Sequence, residues 1–285
     1  MHKGLDLVVF GVRGVFIVDM DKIIFELKNV SYSYAGKFSA LRNIDLTVFS
    51  GDKIAVLGAN GTGKSTLLEL LDALIFPHTG SISVFGRNFN ERDFSNDEFS
   101  REFRKKIGFV FQNPDVQLFC PTVEEDIFFG PLQLGINMDE ARVRFEKIME
   151  KLQIKHLIKR MPHQLSLGEK KKVSIASVLV IGPEVLLLDE PTAGLDPRTC
   201  RELIDLVDEY HAQGKTVITA MQDLHIVPDM ADKVFILDEN KSIAASGSSE
   251  EILAQQELLE KFNLAHIHKH KHNGSWHNHP HQHSG

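Results

Sequence analysis

The chain has 285 residues, 42% hydrophobic and 25% charged, with 32 basic side chains against 39 acidic ones and a formal net charge of -7. That length supports one large domain, or a domain with a smaller lobe, and the acidic balance argues against a nucleic-acid partner held by a basic face. Cys120 and Cys200 stand far apart without C-x-x-C spacing, so neither a disulfide framework nor a zinc knuckle is indicated, and a reducing cytoplasm fits best.

The first apolar stretch, Leu5–Val18, carries Asp6 and Arg13 and falls short of the roughly 20 residues that span a bilayer, so it reads as no membrane anchor. Its early acidic residue and missing small-residue cleavage site also fit a signal peptide poorly. Residues 1–22 are therefore taken as an N-terminal extension, with Met20 as an alternative start. From Ile23 to Val56 apolar and polar residues alternate, as in Ile44, Leu46 and Val48 against Asp45 and Thr47, and predict strands. Lys53 to Ile75 changes period and reads as a strand, a glycine-rich turn and a helix. Pro77 and Gly80 turn the chain into a strand holding Ile82 and Val84, a polar stretch runs from Glu91 to Lys106, and Ile107–Phe111 is a short strand.

Asn113 to Gln164 reads as wholly helical: Thr122 and Glu125 form a capping box, and Val143, Phe145, Ile148, Met149 and Leu152 form an apolar stripe. This predicts a helical lobe inserted at about residues 113–165. After Leu165 helix and strand alternate again, with a helix to about Ile181, an apolar strand Val185–Leu188, a helix Arg198–Ala212 and a strand Thr216–Ala220. Strands Val234–Leu237 and Ile243–Ala245 and a helix Ser249–Phe262 follow. The expected fold is α/β around a parallel sheet, spanning residues 23–263, and residues 264–285 form a histidine-rich tail expected to be disordered.

Gly58-Ala59-Asn60-Gly61-Thr62-Gly63-Lys64-Ser65 is a complete P-loop set between a predicted strand and helix. Its glycines let backbone N–H groups turn inward on phosphate oxygens, and the helix start that includes Thr66 adds a positive dipole end. Lys64 can reach the β and γ phosphates, and the Ser65 hydroxyl can bind Mg²⁺. Val185-Leu186-Leu187-Leu188-Asp189-Glu190 supplies a buried strand ending in two carboxylates. Asp189 would hold magnesium through water, and Glu190 would orient the attacking water for in-line displacement.

Leu165-Ser166-Leu167-Gly168-Glu169 resembles the signature sequence of ATP-binding cassette (ABC) proteins, and the resemblance covers about Ile23 to Phe262. The other landmarks of that family follow in order: Tyr34 where an aromatic ring stacks on adenine, Gln112 at the Q-loop near magnesium, and Ala193-Gly194-Leu195-Asp196 at the D-loop. The resemblance implies a P-loop NTPase core of parallel sheet, an antiparallel β lobe and a helical lobe. It also implies ATP and Mg²⁺ as ligands and a head-to-tail pairing with a second such ATPase subunit, identical or not. There the signature of one chain, through Ser166, Gly168 and Glu169, faces the P-loop of the other. Leu167 replaces the family's usual glycine, Glu169 its commoner glutamine, and Gln222 its switch histidine. A glutamine amide donates a hydrogen bond but carries no proton. His225 is expected to project away from the strand end.

Phe109 to Phe119 and Thr122 to Pro131 are similar to the energy-coupling-factor subgroup, and within it to the ATPase subunits of cobalt and nickel uptake systems. That resemblance implies a transmembrane energy-coupling protein and a substrate-binding membrane subunit as partners, with this chain peripheral on the cytoplasmic side of the membrane. Phe128 and Phe129 are then core or partner contacts. In the tail, His266, His268, His270 and His272 alternate with other residues, as do His277, His279, His281 and His283, and mobile imidazoles can assemble a Ni²⁺ or Co²⁺ site without a fold. Two competing readings are a low-turnover regulatory cassette in a soluble complex and an importer ATPase for a vitamin.

Overall fold

The computed structural model describes residues 22–264 and, in the tail, the backbone of two paired strands, His266–His272 and Ser275–His281. Leu5–Val18, the alternative start at Met20 and His283 lie outside the described residues. The chain opens with two long strands, β1 (Ile23–Tyr34) and β2 (Phe38–Phe49), which pair antiparallel. Alternation decides their faces: Leu41, Ile44, Leu46 and Val48 are buried, whereas Asn43 and Asp45 are exposed. Next come β3 (Lys53–Leu57), α1 (Lys64–Leu71), β4 (Thr79–Val84) and β5 (Arg87–Asn88). β4 returns to pair with β1, giving an antiparallel sheet of order β2-β1-β4-β5.

The polar stretch after β5 folds into a 3₁₀ turn and α2 (Asp97–Lys106), capped by Asn96. β6 (Ile107–Val110) follows, and the helical lobe contains α3 (Val123–Leu134) and α4 (Met138–Lys151). The lobe is less helical than expected. Residues from Asn113 to Thr122 are a 3₁₀ turn, Pro114–Val116, and loop, because Pro114 and Pro121 interrupt the helical hydrogen-bond ladder. On α4, Phe145, Met149 and Leu152 are buried, with Ala141 in line one turn before, but Val143 is 56% exposed because its position lies off that face.

α5 (Leu167–Leu179), β7 (Val185–Asp189), α6 (Pro197–His211) and β8 (Thr216–Met221) complete the alternating run. A short α7 (Val227–Met230) leads into β9 (Lys233–Leu237) and β10 (Ile243–Ser248). The expected last helix is two, α8 (Ser249–Leu253) and α9 (Gln256–Lys261), each with its own start. β6, β7, β8, β3 and β9 run parallel, and β10 adds antiparallel at the edge, in the order β10-β9-β3-β8-β7-β6.

This sheet is the wall shared by two hydrophobic cores. Ala55, Leu57, Leu186, Leu188 and Val217 face the core built with the helical lobe, and Ile54, Val56, Val185, Leu187 and Ile218 face the core built with α1 and the antiparallel sheet. The pairing brings the carboxyl ends of β3, β7 and β8 together, with Leu57 opposite Met221 and Asp189 opposite Ala220. In open α/β sheets ligands bind at that edge. α5 reaches the sheet closely because Gly108 of β6 has no side chain: a Cβ there would sit 2.3 Å from Val178 Cγ1.

Gly108→Ala is therefore expected to force α5 away from β6 and to lower stability by about 1–3 kcal/mol. Urea unfolding of the two proteins measures this, and an unchanged midpoint would mean that the helix packs without the glycine.

Candidate active site

The P-loop leaves β3 at Leu57 and closes on α1 at Lys64. Gly63, the residue before the helix, has φ +109°, and a Cβ there would lie 2.3 Å from the Ala40 carbonyl, so only glycine fits that position. The Thr62 hydroxyl donates to Ala59 O at 2.9 Å and braces the loop from within. Lys64 is buried; its ammonium donates to Gly58 O at 2.8 Å and lies 3.8 Å from Glu190 Oε1. Burial lowers the Lys64 pKa, while Glu190 and Asp189 hold it up.

Asp189 ends β7 and Glu190 follows it, both buried. Burial raises the pKa of each. For Asp189 the Ser65 hydroxyl and Lys64 oppose the rise, and for Glu190 Lys64 and the Gln222 amide do so. Asp189 Oδ1 is buried and has no hydrogen-bond partner among the described residues. Gln222, just past β8, donates to Glu190 Oε1 at 3.0 Å and to Asn60 Oδ1 at 2.6 Å, and so ties the carboxylate to the P-loop. His225 is exposed on the 3₁₀ turn Leu224–Ile226 and lines neither of the two clefts described below.

Lys64, Ser65, Glu190, Gln112 and Gln222 line one cleft of about 380 Å³ that runs past Tyr34. Tyr34 is 42% exposed, and its hydroxyl bonds to Thr66 Oγ1 at 3.1 Å and Glu69 Oε2 at 3.0 Å. Tyr32, two residues earlier on β1, stacks on His78 with ring centroids 5.0 Å apart. Gln112 also lines a second cleft, of about 700 Å³, which continues along Thr192 and the D-loop residues Ala193, Gly194 and Leu195. Four lining residues were not legible in the sequence: Phe38, 71% exposed, Ser39, Ala40 and Lys241, whose ammonium donates to Gly61 O at 2.5 Å. None belongs to a motif, since the start of β2 and the turn between β9 and β10 carry them in.

The signature residues lie elsewhere. Ser166 caps α5: it exchanges hydrogen bonds with Glu169, whose Oε2 accepts from the Ser166 N–H at 2.8 Å and from its hydroxyl at 2.9 Å. That contact pulls the Glu169 carboxyl below its ordinary pKa. Gly168 and its neighbours line neither of the two clefts above. Leu167 is 46% exposed and lies against the D-loop, where a Cβ on Gly194 would be 3.1 Å from Leu167 Cδ2. Asp196 is exposed and caps α6, accepting from the N–H groups of Arg198 and Thr199 at 3.1 Å each. Ser166 and Asp196 thus sit on the outer surface at two helix starts.

The ABC transporter family profile matches residues 41–193. The chain is 46% identical to the nickel import ATP-binding protein NikO of Rhodobacter capsulatus, over 84% of this chain and 95% of that protein. It is 42% identical to the energy-coupling factor transporter ATP-binding protein EcfA of Methanothermobacter thermautotrophicus, over 84% of this chain and 75% of that protein. Among solved structures, CbiO1 from Clostridium perfringens, part of the ABC transporter complex CbiONQ, matches with a TM-score of 0.71 at 36% identity, over 86% of this chain and 96% of that one. A dimeric ATP-binding cassette in a post-hydrolysis state, bound to ADP and Pi, matches with a TM-score of 0.71 at 26% identity, over 79% of this chain and 99% of that one.

Lys64→Ala leaves the carbonyls of Gly58 and Ala59 and the Glu190 carboxylate without their cation. Nucleotide affinity is expected to fall at least ~10-fold, the weight of a charge-assisted contact of about 1.5–3 kcal/mol. Titration with a fluorescent ATP analogue reads it, and parent affinity in a folded variant would remove Lys64 from the phosphate site.

Proposed function

The chain belongs to the ABC transporter family, and from that premise we propose that it is the ATP-hydrolysing subunit of an energy-coupling-factor type importer that drives uptake of cobalt or nickel through a membrane partner. The observation that carries the ATPase chemistry is the junction of Lys64, Asn60, Glu190 and Gln222 in one cleft, with both carboxylates buried beside it. The metal reading is supported by the likeness to a nickel import ATPase over most of both chains.

In this reading Tyr34 takes the adenine, and the N–H groups of Gly58, Ala59, Asn60, Gly61, Thr62 and Gly63, with Lys64, Ser65 and Thr66, take the phosphates. Glu190 accepts a hydrogen bond from the attacking water and aligns it with the γ-phosphorus. Gln222 holds the Glu190 carboxylate with one amide hydrogen and, on releasing Asn60, turns the other toward the γ-phosphate, a positioning role that needs no titration. Ser65, Gln112 and Asp189 would hold Mg²⁺, and the orphaned Asp189 Oδ1 suits a cation or its bound water. Bound there, the ion would neutralise charge on the β and γ oxygens.

Ser166, Gly168, Glu169 and Asp196 serve the nucleotide of a second ATPase subunit, identical or not, in a head-to-tail pair. The outward position of Ser166 and Asp196 supports that assignment. Val116, Phe119 and Leu132 are 63%, 65% and 62% exposed, and the Phe119 ring meets Phe129 edge-on at 4.9 Å. This apolar face, which follows Gln112, suits a transmembrane energy-coupling protein, which in turn would engage a substrate-binding membrane subunit. Among the described residues no helix is long and apolar enough to cross a membrane, so the proposed place is peripheral, on the cytoplasmic side.

The tail histidines, His266, His268, His270, His272, His277, His279, His281 and His283, are proposed to bind the transported class of ion. Backbone register supports a shared ion, with His268 opposite His279 and His270 opposite His277.

Glu190→Gln is expected to bind ATP, to hydrolyse it ~100-fold or more slowly, and to accumulate as a nucleotide-bound dimer. Gln222→Ala should lose roughly 100-fold in kcat while Gln222→His retains activity. Phosphate release from the assembled ATPase decides both. A parent rate in Glu190→Gln would sink the water-orienting role, and no hydrolysis by the parent protein would favour the low-turnover module.

The full chain should bind Ni²⁺ at pH 7.5 and lose that binding as pH falls through the imidazole range near ~6.5, since protonated rings cannot ligate. A chain ending at Leu264 should show no such heat in calorimetry. Equal heats from both chains would place the metal elsewhere.

A further inference from the structure

α5 carries three consecutive lysines, and successive residues on a helix point about 100° apart. The outer two find surface carboxylates: Lys170 pairs with Asp115 at 2.6 Å, and Lys172 pairs with Glu202. Lys171 turns inward. It is 3% exposed, and among the described ion pairs it has no carboxylate partner of its own. Its ammonium donates instead to the main-chain oxygen of Glu190, at 2.6 Å. An apolar residue of that length would fill the same space without desolvating a charge, a penalty of several kcal/mol per ion. A buried ammonium on a backbone carbonyl therefore calls for a reason beyond packing.

The geometry of Glu190 supplies one. Its φ is +44°, a left-handed conformation that is uncommon for a residue bearing a side chain and costs free energy that its contacts must offset. Three contacts hold that peptide. The Glu190 N–H donates to Ala220 O at 2.9 Å, and the Glu190 carbonyl accepts from the Ala193 N–H at 3.3 Å and from Lys171. Of the three, only Lys171 comes from outside the strand ends and the D-loop turn. It stands five residues after Ser166 on the helix whose first turn is the signature sequence.

We propose that Lys171 is a positioning residue for ATP hydrolysis: it clamps the left-handed Glu190 peptide so that the carboxylate stays aimed between Lys64 and Gln222, and it makes that aim depend on where the signature helix lies. The inference rests on Glu190 being the water-orienting group. A helix cannot flex between Ser166 and Lys171 without breaking its hydrogen-bond ladder, so a shift of the signature moves the Lys171 ammonium and the Glu190 carbonyl together. Nucleotide binding does not depend on this link, because Lys64 and the P-loop N–H groups are set by β3 and α1.

The test uses the full chain in its assembled ATPase, with Lys171→Met, Lys171→Gln, Lys171→Arg, Glu190→Gln and the Lys171→Met/Glu190→Gln double variant. Lys171→Met is expected to lose ~30–100-fold in kcat, the cost of a misplaced reacting group, with the KM for ATP within about twofold of the parent. Lys171→Arg should recover most of the rate, and the double variant should be no slower than Glu190→Gln alone, since the two act through one group. If Lys171→Met does not fold, Lys171→Gln, which keeps a neutral donor, enters the same comparison. A parent kcat in the folded neutral variant, an equal loss in Lys171→Arg, or losses that multiply in the double variant would each overturn the proposal. Should Glu190→Gln itself retain the parent rate, the reading of Glu190 fails, and that result is distinct from failure of the Lys171 link alone.

Discussion

Lys64 lies 3.8 Å from the buried Glu190 carboxylate where β3 and β7 end, with buried Asp189 beside it and the buried Lys171 ammonium on the Glu190 main-chain oxygen, and the surrounding architecture keeps these four groups together. Burial pushes every one of them toward its neutral form, and the opposite charges alongside offset that push. Ion clusters of this kind add little to stability compared with apolar residues of the same volume. Their presence in an otherwise Val- and Leu-filled sheet edge marks a place where charge is used. ATP hydrolysis is such a use, because the γ-phosphoryl group brings negative charge that must be met by fixed donors and cations.

The parallel sheet makes the cluster precise enough to serve. Both of its faces are covered, so β3, β7 and β8 are buried throughout and their register is set by packing on two sides. That register places Leu57, Asp189 and Met221 at one edge, from which the P-loop, Glu190 and Gln222 leave as short segments. Gln222 then joins the second and third of these to the first through Asn60. Where a histidine would couple this position to pH, the neutral amide keeps the geometry and removes the titration.

The residues proposed to serve a second subunit's nucleotide are built on a different principle. Ser166, Leu167 and Asp196 occupy helix starts on the surface, and their polar groups are satisfied locally by capping contacts until something better arrives. Leu167 does not stand free in front of the signature; it lies against Gly194, so the departure from glycine is absorbed by the D-loop of the same chain. Signature, D-loop and Glu190 are therefore neighbours within one chain. The Lys171 contact gives that neighbourhood a direction, from the helix that carries the signature to the peptide that carries the carboxylate.

Contiguous motifs were readable from the sequence because their function is local. The P-loop needs consecutive N–H groups and a glycine at φ +109°, and the Asp189-Glu190 pair needs only a buried apolar strand before it. Strand alternation and the β-α-β order were legible for the same reason, and with them the α/β fold and its inserted helical lobe, whereas the antiparallel β lobe was implied by the family resemblance. Tertiary packing alone decided the rest. It chose Tyr34 over Tyr32 for the cleft, sent Val143 outward, brought Phe38 and Lys241 to the P-loop, and joined Gln222 to Asn60 across 162 residues. Among three adjacent lysines it sent only Lys171 to Glu190. Contacts between residues so far apart leave no period in the sequence, since they depend on how whole elements pack and not on the spacing within any one of them.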